Sequence, residues 1–245
     1  MQELYKSGRY FFAIAIFAFG VIQFVSGDFM SGFLPVNPDM AGRKLFLYLS
    51  STLLLVAGLG LLVPVSYKHA ARFTGYLLLL FVLYPHLPWL LSDVHNPGPW
   101  TSIAENIALC GGAFMISGSP GFFKLGKIIF AGSLIVFAVQ HFMYADFIAT
   151  LIPAWIPAKV FLAYFIGVAF LLSSISILSN IKTRLACSLL GFMFLFWVIF
   201  LHAPRTFASP HKEAEWTSLF IALAFSGIFF FLAAHGTEKN LHPKS

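Results

Sequence analysis

Eight apolar runs, each near the length that carries a helix across roughly 30 Å of hydrocarbon, limit what this chain can become. They span approximately residues 10–26, 44–64, 73–91, 100–117, 128–144, 157–178, 186–202 and 216–235. Turn-forming residues separate them: Gly27-Asp28, Pro64, Pro97-Gly98-Pro99, Ser119-Pro120-Gly121, Asn180 and Pro204. Barrel strands would alternate apolar and polar residues over segments of about ten, and these runs do not. With 10% charged residues and 30 phenylalanines among 245 residues, the chain reads as an all-α membrane protein with eight transmembrane helices. The first run follows Lys6 and Arg9 as a secretory signal would, but no small-residue cleavage pattern follows it. It therefore counts as a helix.

Basic residues set the expected orientation. Lys6, Arg9, Lys68, Arg72, Lys124, Lys127, Lys182, Arg184, Lys239 and Lys244 fall on one side, ten of the 15 cations, accompanied only by Glu3 and Glu238. The other side holds Arg43, Lys44, Lys159, Arg205 and Lys212 with most of the acids. Both termini are expected to be cytoplasmic. The net charge of +6 lies mainly on this cytoplasmic rim, and no basic stripe with interleaved aromatics points to nucleic acid. The partner implied by composition is the lipid bilayer. Cys110 and Cys187 belong to different depths and form no C-x-x-C, so a disulfide or dithiol chemistry is not expected.

The chain also repeats itself. "HLPWLLSDVH" from His86 to His95 is echoed by "HAPRTFASPH" from His202 to His211. At this offset of 116, Trp100, Thr101 and Ser102 fall on Trp216, Thr217 and Ser218, while Gly75 and Gly111 fall on Gly191 and Gly227. Upstream the offset is 118: "QFVSGDFMSGFLP" (Gln23 to Pro35) aligns with "HFMYADFIATLIP" (His141 to Pro153). Two units follow, 1–120 and 121–245, each with four helices. An even number makes the two repeats parallel, related by an axis along the membrane normal, and sites tend to form where such repeats meet.

Polar groups inside hydrocarbon invite a functional reading. His86 and His202 are expected at one depth near the outer ends of the third and seventh helices. They either anchor structure or bind a ligand and exchange protons, since imidazole titrates near neutral pH. His141 and its counterpart Gln23 fall about a turn inside the outer ends of the fifth and first helices. His95 and His211 fall in outer loops. Glu105, a turn and a half into the fourth helix, has Ile221 as its counterpart, and Arg205 has Trp89. This divergence points to one working pocket rather than two, or to an ion pair between Glu105 and Arg205. Trp89, Trp100, Trp155 and Trp216 read first as an interfacial belt, with Trp100 and Trp216 also candidates to stack on a ligand ring. Asp28 and Asp146 read as loop-ordering groups. No metal set emerges: the nine-residue histidine spacing matches no zinc pattern. Haem fits poorly, because both histidines lie near the surface and symmetry alone does not set their rings on opposite faces of a macrocycle.

These residues carry a resemblance. The "HF…F…LIPAWIP" character from His141 to Pro157, the following "FLAYFIGVAFLLSSISIL", and the later "LHAPR" and "WTSLFIALAFSGIFFFLA" resemble DoxX-type membrane proteins in a tandem-duplicated eight-helix form. The resemblance covers nearly the whole chain. It implies a multi-pass protein of the bacterial cytoplasmic membrane, associated with quinone-linked oxidoreductases. His141 matches the histidine that ends the first helix of such a unit, and Gln23 departs from it. The expected function is a redox-associated membrane subunit that binds a quinone, with His141, His86 and His202 as donors and Glu105 as proton acceptor. Gln23, His95, His211, Arg205, Trp100 and Trp216 would line the ligand, and a redox partner protein would supply electrons. The competing reading is a non-catalytic scaffold or small-molecule carrier.

Overall fold

The computed structural model describes residue 3 and residues 7–235; Lys6, Glu238, Lys239 and Lys244 lie outside the described residues. The described chain is helical throughout. In chain order the elements are α1 (Gly8–Ser26), α2 (Arg43–Leu62), α3 (Tyr67–Ser92), α4 (Pro97–Ile116), α5 (Pro120–Met143), α6 (Ala145–Leu151), α7 (Lys159–Ser179), α8 (Thr183–Ala208) and α9 (Glu213–His235). All but α6 and α4 are long and apolar enough to span a bilayer, seven among the described residues. The chain is thus a multi-pass helical membrane protein by length and composition. Helix α4 is equally long but carries Glu105 and Asn106. It tolerates them because its neighbours enclose it: 14 of its 20 residues are buried.

Several boundaries differ from those read in the sequence. Pro97 and Pro120 do not stand in linkers but open α4 and α5, where a missing N–H costs nothing. Asn96 caps α4 by accepting from the Gly98 N–H at 2.9 Å. Nor does Pro204 end its helix. Helix α3 is kinked at Tyr84, whose φ of −150° and ψ of 111° are non-helical, whereas α8 passes through a five-residue π-helical turn, Val198–His202; each then runs on for six residues. Pro88 and Pro204 fall in the first turn of each continuation, where proline is tolerated.

The long helices form a closed ring. Each packs on the next, α5 reaches α7 past the short α6, and α9 returns to α1. Helices α4 and α9 also touch across the centre, where Gly112 lies against the Ile228 side chain. The ring closes on two backbone crossings. At α1/α9, a Cβ added to Gly227 would stand 2.5 Å from the Gly8 carbonyl oxygen. At α4/α5, one added to Gly111 would stand 2.7 Å from the Gly126 carbonyl oxygen. Small residues let membrane helices approach this closely, so that dispersion and backbone contacts replace the hydrophobic effect that lipid cannot supply.

Contacts recur between the halves with the sequence offset. Cys110 donates from Sγ to the Gly75 carbonyl at 3.2 Å, and Ser226 donates from Oγ to the Gly191 carbonyl at 2.9 Å. Phe114 packs on Gly75 as Phe230 packs on Gly191. Trp100 donates to the Val94 carbonyl as Trp216 donates to that of Pro210. Both cysteines are free and buried. The crossings make a direct prediction. Gly227→Ala and Gly111→Ala should each destabilise the protein by about 1–3 kcal/mol through overpacking. Gly132→Ala in α5, whose methyl meets nothing within 4 Å, should leave the melting temperature in detergent unchanged.

Candidate functional site

One group of buried polar residues, Gln23, His86, Ser102, Asn106 and Thr217, lies at the end of the ring away from the described start of α1. In the first half His86, Ser102 and Asn106 are tied together. Pro85 has no N–H, so the Phe81 carbonyl lacks its helical donor four residues on. His86 replaces it, its Nδ1–H donating to Phe81 O at 2.7 Å. That bond leaves Nε2 as an acceptor, which the Asn106 amide meets at 3.0 Å. The same Nδ2 also reaches the carbonyls of Phe33 and Ser102, both at 3.1 Å. Ser102 donates to the Gly32 carbonyl at 2.8 Å. From the opposite side, Glu213 of α9 accepts from the Gly32 N–H at 3.3 Å and the Ser31 hydroxyl at 3.0 Å, and Thr217 donates to Glu213.

This network fastens the segment between α1 and α2 into the mouth of the ring. Phe29, Met30, Phe33 and Leu34 are buried there, and Phe33 stacks on Phe19 with centroids 3.9 Å apart. Asp28 orders the start of the segment, accepting from the Phe29 N–H and pairing with Arg43, which lies over the Phe29 ring. The Arg43 hydrogen bond holds the Asp28 carboxyl below its ordinary range. Partial burial opposes that shift, and the Phe29 N–H reinforces it.

The second half keeps the fold and drops the wiring. Leu201 stands at the place of Pro85 and retains its N–H; Ala222 stands at the place of Asn106. His202 has lost the two partners that hold His86, and its Nδ1 is buried with no hydrogen bond. The segment after α5 is not drawn in. Asp146 falls in the first turn of α6, and Phe147 and Leu151, at the places of Phe29 and Phe33, are 63% and 46% exposed. A cleft of about 490 Å³ opens between residues 150–155 and the far end of α8.

The predicted residues therefore separate. His86 spends both ring nitrogens on protein contacts. His141 donates from Nδ1 to the Phe137 carbonyl at 2.8 Å and sets its edge against Phe170, leaving Nε2 without a protein partner. Gln23 is fully buried, and neither end of its amide has a hydrogen bond. Glu105, on the central helix, makes no hydrogen bond or ion pair among the described residues. The pairing of Glu105 with Arg205 does not occur: Arg205 pairs with Glu215, ten residues on, at 3.0 Å. His95 and His211 are exposed on turns and are not brought to the interior. Trp100 and Trp216 use their indole N–H groups to close their own turns. Among the described residues, no three His, Cys, Asp or Glu side chains gather as metal ligands.

The sequence reading passed over Ser102, Glu213 and Thr217 as clamps and took Asn106 only as a neighbour of Glu105. A signal was present: Asn106 faces Ala222 and Glu213 faces Pro97 in the repeat, the same polar-to-nonpolar divergence that singled out Glu105. Compared with family models, curated proteins and solved structures, the chain matches none.

Two outcomes follow. Asn106→Leu and His86→Ala each strand buried partners, at about 1–3 kcal/mol per unsatisfied group. Both should destabilise the protein clearly more than His202→Ala in denaturant titrations. The Asp28–Arg43 pair contributes stability that is full above the ordinary carboxyl pKa and fades as pH falls through the lowered, folded-state value. Asp28 is 64% exposed, so the effect should stay within about 1 kcal/mol. Melting temperature followed down from about pH 5 should fall less steeply for Asp28→Asn than for the wild type.

Proposed function

We propose that the chain is an eight-span membrane protein made by tandem duplication of a four-helix DoxX-like unit, and that it serves as a quinone-linked, redox-associated membrane subunit. The matching helix bounds and paired contacts of residues 1–120 and 121–245 support the duplication. The enclosure of α4 by its neighbours supports its role as the eighth span. The distribution of lysine and arginine supports cytoplasmic termini in a bacterial cytoplasmic membrane.

The observation that carries the functional reading is a pair of buried polar groups without protein partners, the Gln23 amide and His202 Nδ1, beside a half-buried Glu105 that has no hydrogen bond or ion pair among the described residues. Each costs on the order of 1–3 kcal/mol if nothing satisfies it. A quinone offers carbonyl oxygens to donors and becomes a quinol by taking up two electrons and two protons. In this reading Gln23 and His202 hold the ring oxygens, His141 presents its free Nε2, and Glu105 moves protons. A redox partner protein delivers the electrons. His86 is a positioning residue that holds the inserted segment between α1 and α2.

One observation favours a scaffold or small-molecule carrier instead. The clamp of Ser102, Asn106, Glu213 and Thr217 fixes the mouth of the ring, as a rigid docking platform requires. Mass spectrometry of an organic extract from the gently purified protein separates the readings. Stoichiometric quinone in the wild type and its loss from folded Gln23→Leu/His202→Leu supports the redox subunit. Equal amounts of bulk phospholipid alone in both samples would leave the scaffold as the better account.

A further inference from the structure

The cleft of the second half differs from the interior groups in both chemistry and access. Its wall combines Lys159, at the start of α7, with Arg205, on the continuation of α8, and with Trp155, Phe200 and Leu201. Lys159 makes no ion pair among the described residues. The contact of Arg205 with Glu215 runs through Nη2 alone. The first half differs at both places: Arg43, at the place of Lys159, is paired with Asp28, and Trp89 stands at the place of Arg205. Here Asp146 makes no salt bridge to Lys159, because it has been taken into the first turn of α6.

Glu215 takes one Nη of Arg205, and Lys159 has no ion-pair partner among the described residues, so the cleft keeps a positive charge, and a guanidinium beside an ammonium suits a phosphate. The apolar surface that leads from the cleft is equally specific. Phe200 stacks on Phe196, both exposed on α8, and Phe161 and Phe165 are exposed along the first turns of α7. These rings lie on helices long and apolar enough to face lipid, and Trp155 is exposed at the rim, where indole favours the headgroup level. A ligand anchored by its charge between Lys159 and Arg205 therefore has an apolar track for its chains.

We infer that this cleft is a binding site for the phosphate headgroup of an anionic membrane phospholipid, held by Lys159 and Arg205 with its acyl chains along Phe196, Phe200 and Phe161. Native mass spectrometry of the full chain tests it, with phosphatidylglycerol or phosphatidylcholine titrated into the detergent-solubilised protein. One phosphatidylglycerol should be retained at least about tenfold more tightly than phosphatidylcholine. Lys159→Ala/Arg205→Ala should abolish that preference, whereas Lys68→Ala/Lys124→Ala, which removes the same charge elsewhere, should preserve it. Lys159→Arg should retain binding, which separates loss of the site from loss of the fold, and circular dichroism checks the double variant. Millimolar inorganic phosphate should not displace the lipid. Equal retention of the two lipids, unchanged binding by the Lys159/Arg205 variant, displacement by inorganic phosphate, or equal displacement by oleate would each overturn the assignment.

Discussion

The two glycine crossings are the contacts on which the rest of the architecture depends. Lipid is as apolar as the helices it surrounds, so burying leucine and phenylalanine supplies little drive for helices to associate. Gly8 against Gly227 and Gly111 against Gly126 bring backbones close enough for carbonyls and amides to meet. Both crossings join the first helix of one half to the fourth helix of the other. Neither half closes the ring alone. They also press α4 and α9 inward, which makes these the most enclosed long helices, and it is on them that the inserted segment is clamped.

Enclosure of α4 has a chemical consequence. A helix shielded from lipid can carry Glu105 and Asn106, which a lipid-facing helix would carry only at a cost of several kcal/mol. Asn106 uses that shelter structurally, binding His86 and the carbonyls of Phe33 and Ser102. Glu105 uses it without a protein partner. Adjacent residues on one helix thus take opposite roles because their side chains leave the axis about 100° apart.

Much of the fold was legible in the sequence because its signals are local or periodic. Run length marks the helices, and the offsets of 116 and 118 pair the elements without reference to coordinates. Proline was misleading at Pro97, Pro120 and Pro204, since its effect depends on whether the carbonyl four residues back belongs to the same helix. The site was less legible. Its polar members are visible one by one, but the partners that decide their roles lie far off in sequence, as with Asn106 and Phe33 or Glu213 and Gly32. Arg205 paired with nearby Glu215 rather than with Glu105, a choice that helix spacing at the start of α9 could have suggested.

The two histidines that looked equivalent in the sequence sit in different surroundings. His86 is held because Pro85 leaves a carbonyl bare on one side and Asn106 offers an amide on the other. At His202 both conditions are gone, replaced by Leu201 and Ala222, and a π-helical turn takes the place of the kink at Tyr84. One half keeps a filled, hydrogen-bonded mouth, and the other holds exposed apolar side chains and an open cleft where Lys159 has no ion-pair partner among the described residues. The asymmetry goes with a few differences at the wired positions, Pro85 against Leu201 and Asn106 against Ala222, together with a kink in α3 and the short helix α6 after α5.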